Sequence, residues 1–179
     1  MPEGPSIILL KEAIVQFTGK KIFSVDGNTK TIDKDRLLNK KVIAFKSWGK
    51  HFLICFKNFT IRIHFLLFGS YLINEEKITP VRLKLVFNNG ELNFYACSVQ
   101  IIEGDIENHY DWSADVMNDL WDAKKAELKL KKAADSLLIC DALLEQEIFA
   151  GVGNIIKNEV LYRVSVHPDS LVKKYRLVK

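Results

Sequence analysis

The apolar positions of this chain change period once, near residue 104. At the N-terminus Ile7, Ile8, Leu10, Ala13, Ile14 and Phe17 recur at close to helical spacing, which predicts a helix over 4–17 with Gly19 as its stop. Short β-rich segments follow at 21–25, 41–47, 51–56, 60–65, 70–73, 82–87, 92–95 and 100–103. Lys57-Asn58, Thr79-Pro80 and, most clearly, Asn88-Asn89-Gly90 supply turns between several of them. Ile61, Ile63 and Phe65 alternate with Arg62 and His64, as in a half-buried strand. Phe52-Leu53-Ile54-Cys55-Phe56 is apolar throughout, as a strand covered on both faces would be. Many short antiparallel strands joined by hairpin turns predict a sandwich or a barrel.

Residues 104–110 are polar and acidic and read as an interdomain linker. Beyond them the period is helical. Ser113 is placed to N-cap a helix running to about Trp121, and a Lys-rich helix is expected over 123–134. A short helix at 140–146 precedes the turn Phe149-Ala150-Gly151-Val152-Gly153-Asn154, and a last helix over 155–163 is closed by His167-Pro168. The expected class is α+β: an N-terminal helix with an antiparallel β-sandwich in residues 1–104, then a helical domain in 112–179.

Composition narrows the function classes. With 48% hydrophobic residues the chain can bury a core, and it has no apolar run near the ~20 residues of a membrane span. The start has no basic leader and no small-residue cleavage site, so no signal peptide is expected and the expected location is the cytoplasm. Cys55, Cys97 and Cys140 form no C-x-x-C pair and sit among apolar residues. They read as buried free thiols, and no metal site is expected within this chain. A net charge of +4 permits a polyanionic partner without requiring one.

The sharpest chemical signal is at the start. Once Met1 is removed, Pro2 presents a secondary amine. A terminal amine has a pKa of ~7.7–8.0 against ~10.4 for Lys, so near pH 7.4 roughly a third is neutral and nucleophilic. Attack on a sugar C1′ would give an iminium ion, an electron sink, with Glu3 beside it to move protons. The plainer possibility is that Pro2 and Pro5 only start a helix, with Glu3 a favourable first-turn acid.

The string Pro2-Glu3-Gly4-Pro5 resembles the opening of the formamidopyrimidine-DNA glycosylase/endonuclease VIII family, on the endonuclease VIII side. Ser47-Trp48-Gly49-Lys50-His51-Phe52-Leu53 is similar to its strand end followed by a catalytic lysine. His64-Phe65-Leu66-Leu67-Phe68-Gly69-Ser70 resembles its loop that fills the hole left by a flipped-out nucleotide. Residues 142–161, with Gly151-Val152-Gly153-Asn154, resemble its helix–two-turn–helix signature.

The resemblance implies a bifunctional DNA glycosylase and abasic-site lyase with Pro2 as nucleophile and Glu3 as proton shuttle. Lys50 would contact a phosphate near the reacting sugar, and Leu66, Leu67 and Phe68 would fill the void. Gly151, Gly153 and Asn154 would form a phosphate site, the glycines allowing close approach and the following helix offering unpaired N–H groups. Each feature alone has an ordinary alternative: a turn lysine, a core Phe-Leu-Leu-Phe run, a turn between helices. Lys157 could add charge, whereas Lys124, Lys125, Lys129, Lys131 and Lys132 read as a solvated helix face.

The implied partner is double-stranded DNA carrying damaged bases or abasic sites, bound by a monomer away from membranes, with no cofactor. The Pro-Glu-Gly-Pro start and the Tyr95-Ala96-Cys97-Ser98 stretch tilt the substrate toward oxidised pyrimidines. Three departures stand out. The family's C-terminal zinc-finger region is not expected within these residues, Ser6 stands where the family has Glu, and retention of Met1 would acylate Pro2. The alternative is a catalytically idle DNA-binding remnant of the same fold.

Overall fold

The structure, a computed structural model, describes residues 2–175. It divides into two compact units, one of Pro2, Ser6–Ser47 and His51–His109, the other of Glu3–Pro5, Trp48–Lys50 and the chain from Tyr110 onward. Met1, and with it the state of the Pro2 nitrogen, lies outside the described residues.

The first unit takes in helix α1 (Gly4–Ala13) from Ser6 on, and six strands: β1 (Ser24–Asp26), β2 (Ala44–Trp48, up to Ser47), β3 (His51–Cys55), β4 (Phe59–Ile73), β5 (Leu83–Phe87) and β6 (Gly90–Glu103). The expected helix over 4–17 tightens into a 3₁₀ turn at Val15–Phe17, and Gly19 at φ 79° ends it. The strands form one hydrogen-bonded sheet in the order β1-β5-β6-β4-β3-β2, with β1 and β2 at its edges. The class agrees with the expectation of an N-terminal helix, antiparallel strands and a helical part.

Two pairs of expected strands turn out to be continuous. The segments 60–65 and 70–73 are both in β4, and 92–95 and 100–103 are both in β6. What the sequence shows as an interruption is a break in register: Phe65 pairs with Cys97 and Ser70 with Tyr95, so residues 66–69 stand opposite the single Ala96. Such a bulge throws side chains out of the ladder. The core packs Ile7 and Leu10 of α1, and Ile14 just after it, against Phe52, Ile54, Ile61, Ile63, Phe65 and Phe94. Residues 52–56 are all buried, as their unbroken apolar run requires.

The second unit contains α2 (Ala123–Lys132), α3 (Ile139–Ala142), α4 (Gln146–Phe149) and α5 (Asn154–Arg163). The helix expected from Ser113 to Trp121 does not form. Instead, Asp111 caps a 3₁₀ turn at Trp112–Ala114, accepting from Ser113 N–H (3.1 Å) and Ser113 Oγ (2.5 Å). Asp115 then accepts from Met117 N–H and Asn118 from Leu120 N–H, each at 2.9 Å. Three short polar side chains thus bind the backbone two residues on, a local arrangement that competes with helical bonding. Likewise 140–146 is not one helix, because α3 ends at Ala142 and α4 begins at Gln146.

Cys55 and Cys97 are buried free thiols, and burial pushes Cys97 up to about 12. Cys140 corrects the expectation, being half-buried on the short α3 beside Asp141. In the lysine cluster, Lys129 bonds to Asp111 (2.7 Å), which holds that carboxyl down at about 2, and Lys131 pairs with Glu127. Among the described residues no group of three or more His, Cys, Asp or Glu is arranged to hold a metal ion. No described helix is long and apolar enough to cross a membrane.

Candidate functional site

The second unit gathers residues from three distant stretches of sequence through its glycines. Gly4 N–H donates to Gly151 O at 2.9 Å. A Cβ on Gly151 would sit 3.4 Å from Gly4 Cα and 3.5 Å from Gly49 Cα, so three backbones meet without side chains between them. Gly49, at φ +55°, would carry its Cβ to 2.8 Å from Gly151 N, which excludes any other residue there without backbone movement. This junction sets Glu3, Lys50 and the 151–154 turn together.

Glu3 is only 8% exposed, although it is charged and lies near the chain start. Its Oε1 accepts from Ile155 N–H (2.8 Å), and its Oε2 accepts from Gly153 N–H (3.2 Å) and Ile156 N–H (3.1 Å). The carboxylate therefore caps the first turn of α5, where orphan amides and the positive dipole end favour a negative charge. Each carboxylate oxygen has about two acceptor directions, so Oε1 keeps one open and Oε2 is filled. A Cβ on Gly153 would fall on this carboxyl group, so glycine here makes room for Glu3.

This corrects one part of the phosphate-site expectation. The α5 start does not offer a row of unpaired amides, because Glu3 takes three of them, and Gly151 N–H donates to Gln146 Oε1 at 3.1 Å. What faces outward is Asn154 itself. It is exposed, its Oδ1 accepts from Lys157 Nζ at 3.0 Å, and its side-chain N–H₂ is thereby turned to donate.

Lys50 follows Gly49 in the turn between β2 and β3 and is half-buried. Burial lowers the pKa of its amine, and the Glu3 charge partly offsets this. Two groups hold the turn: Asp115 Oδ2 accepts from Gly49 N–H at 3.0 Å, and Trp48 Nε1 donates to Asp111 O at 2.9 Å. Asp115, only 2% exposed, carries no signal in the sequence, because a single Asp within an expected helix reads as a solvated position.

In the first unit, Leu66, Leu67 and Phe68 occupy the β4 bulge, with Leu67 67% and Phe68 84% exposed. Phe65, one residue before them, is 2% exposed. The structure therefore keeps the three away from the core. Pro2 directly precedes Glu3 and is half-exposed.

A buried carboxylate after Pro2, a lysine of lowered pKa and a glycine turn before an exposed Asn fall within two family matches. The N-terminal domain of formamidopyrimidine-DNA glycosylase matches residues 1–97, and the helix–two-turn–helix domain of the same protein matches 115–177. The chain belongs to the formamidopyrimidine-DNA glycosylase/endonuclease VIII family.

Endonuclease 8-like 3 of Mus musculus is 33% identical over 143 residues, covering 74% of this chain and 23% of that protein. Formamidopyrimidine-DNA glycosylase of Carboxydothermus hydrogenoformans is 26% identical over 186 residues, covering 96% of this chain and 68% of that protein. Among solved structures, the complex between the Lactococcus lactis Fpg and an abasic-site-containing DNA superposes with a TM-score of 0.82 at 22% identity, covering 96% of this chain and 70% of that one. The chain thus spans 23% of the length of the mouse relative.

Proposed function

We propose that this protein is a DNA glycosylase with abasic-site lyase activity, acting on oxidised bases, pyrimidines favoured, through a Schiff base on Pro2. The observation that carries the reading is the anchoring of Glu3. The acidic residue next to Pro2 is buried and held by three amides, with one oxygen direction left open.

In this reading the lone pair of the Pro2 nitrogen forms a bond to C1′ as the C1′–base bond breaks, and the departing base takes a proton. The nitrogen gives up its proton, the C1′–O4′ bond breaks as O4′ takes a proton, and the ring-opened iminium draws electrons from C2′: a C2′ proton is removed and the C3′–O bond breaks, releasing the phosphate. Glu3 Oε1 is the atom that holds or moves a proton beside the amine. Lys50 supplies a cation for a phosphate near the sugar and Asn154 a neutral donor for another, while Gly151 and Gly153 shape the turn. Leu66, Leu67 and Phe68 fill the space of the extruded nucleotide, a role that their exposure supports. The iminium formed on Pro2 is itself the electron sink, so the reading calls on no cofactor.

The rival reading, an idle DNA-binding remnant, draws on the same carboxylate: a Glu3 committed to three amides could serve only to cap α5. Borohydride trapping separates the two. Protein whose N-terminus is verified as Pro2 by mass spectrometry is incubated with an abasic-site duplex at low salt, and the iminium is reduced. A covalent adduct mapped to Pro2 is expected, with far less from protein that retains Met1. Duplex binding without an adduct would leave only the remnant.

A further inference from the structure

Two short segments of the first unit share one pattern, Lys20-Lys21-Ile22-Phe23 and Lys40-Lys41-Val42-Ile43, and they pair antiparallel. Ile22 N–H donates to Lys40 O (3.0 Å) and Val42 N–H to Lys20 O (2.9 Å), which sets Lys21 directly opposite Lys41. Ile22 and Val42 are fully buried, whereas Phe23 is 58% and Ile43 53% exposed beside the lysines. An adjoining cavity of about 450 Å³ is lined by Arg36, Lys40, Lys41 and Lys57 together with Ile43, Phe56 and Phe59.

Like charges facing each other across an antiparallel pair are destabilising. Yet none of Lys20, Lys21, Lys40, Lys41 and Lys57 has an ion-pair partner among the described residues. Arg36 differs, since both its terminal nitrogens bond to Glu103 (2.5 and 2.7 Å) and it lies 4.2 Å over the Phe59 ring. The unbalanced charge is therefore carried by flexible lysines, with exposed apolar side chains set between them.

A polyanion balances such lysines, and one with accessible flat faces also covers Phe23 and Ile43. A duplex hides its base faces in the stack, and a run of Asp and Glu side chains has none. Single-stranded nucleic acid offers both charge and faces. We propose that this face of the first unit binds single-stranded nucleic acid, its phosphates on Lys21, Lys40, Lys41 and Lys57 and a base against Phe23 and Ile43. The cavity lies at the Phe59 end of β4, about 23 Å along the strand from Leu66. The surface is thus separate from the bulge, and it needs none of the chemistry proposed for Pro2.

The test is fluorescence anisotropy with a labelled oligothymidylate of about 20 nucleotides, long enough to span one binding face, in a salt series. The wild type binds, and its affinity falls with salt. Lys21→Ala/Lys41→Ala should weaken binding at least tenfold and flatten the salt slope by about 1.4, roughly 0.7 per lost contact. Its melting temperature should not fall, since the facing lysines are gone. Lys57→Ala, outside the paired segments, should weaken binding with a slope change of about 0.7. Phe23→Ser should weaken binding severalfold and leave the slope unchanged. All three should trap on an abasic-site duplex as the wild type does, and Asn154→Ala should bind oligothymidylate normally. Unchanged oligothymidylate binding by the double variant would overturn the proposal. So would competition by polyglutamate equal to that by an oligonucleotide of the same charge. Should trapping fail in every protein while the lysine variants still lose binding, the Pro2 reaction falls and the surface stands.

Discussion

Glu3 and the Leu66–Phe68 stretch break the ordinary rule of burial in opposite directions. One is a charged residue that is almost wholly buried, the others large apolar residues that are largely exposed. Each exception has a local cause. Three backbone amides compensate the Glu3 carboxylate, and a register break of four residues against one turns the apolar side chains out of the sheet. Buried polar and exposed large apolar groups are the informative ones. In the proposed reaction they would serve two different tasks, holding an acid beside an amine and presenting a wedge.

The largest effect is expected at the buried acid. Glu3→Gln places an N–H₂ group where amides donate, and single-turnover base excision should fall by about 10²-fold or more. Reaction with a preformed abasic site should fall less. Gly153→Ala should approach the same loss, because its methyl group occupies the place of the Glu3 carboxyl. Glu3→Gln with full excision activity would reduce Glu3 to a helix cap.

A pair of stability measurements breaks or sharpens the other side. Phe65→Ala, in the core, should cost about 3–5 kcal/mol. Leu67→Ala should change stability by less than about 0.5 kcal/mol, as surface sites do. Activity of Leu67→Ala on base-containing lesions should drop more than on abasic sites. Similar denaturation losses at both positions would return Leu67 to the core.

Asn154→Ala should weaken binding to all duplexes alike by about 1 kcal/mol, the worth of one hydrogen bond, with lesion preference unchanged in titrations at fixed salt. The smallest effect concerns pH. Because burial lowers the Lys50 pKa, its cation is lost at a pH below the ordinary 10.5 as pH rises. The trapping rate should decline on that limb, and Lys50→Arg should move the decline upward. The sign for stability is the reverse of a salt bridge: the folded state binds this proton less tightly, so its penalty is present at low pH and fades as pH rises toward 10.5.

Helix α1, the alternating and doubly covered strands, α2 and α5 were legible because each carries a sustained period. The four landmark motifs were legible because their residue types sit at fixed spacing. The helix expected over 113–121 failed where period competed with Asp111, Asp115 and Asn118, whose side chains bind backbone locally. The merging of strand pairs into β4 and β6 was hidden because a bulge looks in sequence like a turn. The Glu3 cap was out of reach for another reason: its partners lie 150 or more residues away, and no pattern within a window links them.

The meeting of Gly4, Gly49 and Gly151 also bears on the order in which the chain can fold. Helices α2 to α5 come from one contiguous stretch, yet the first turn of α5 is capped by Glu3 and the 151–154 turn rests on Gly4 and Gly49. Closing loops of that length precedes any return from the contacts, so this junction belongs among the late events of folding. The helical region is accordingly not an autonomous module. Expressed from Tyr110 onward alone, it would present the α5 amides bare, and exchanging it between relatives would succeed only if residues 3–5 and 48–50 travelled with it.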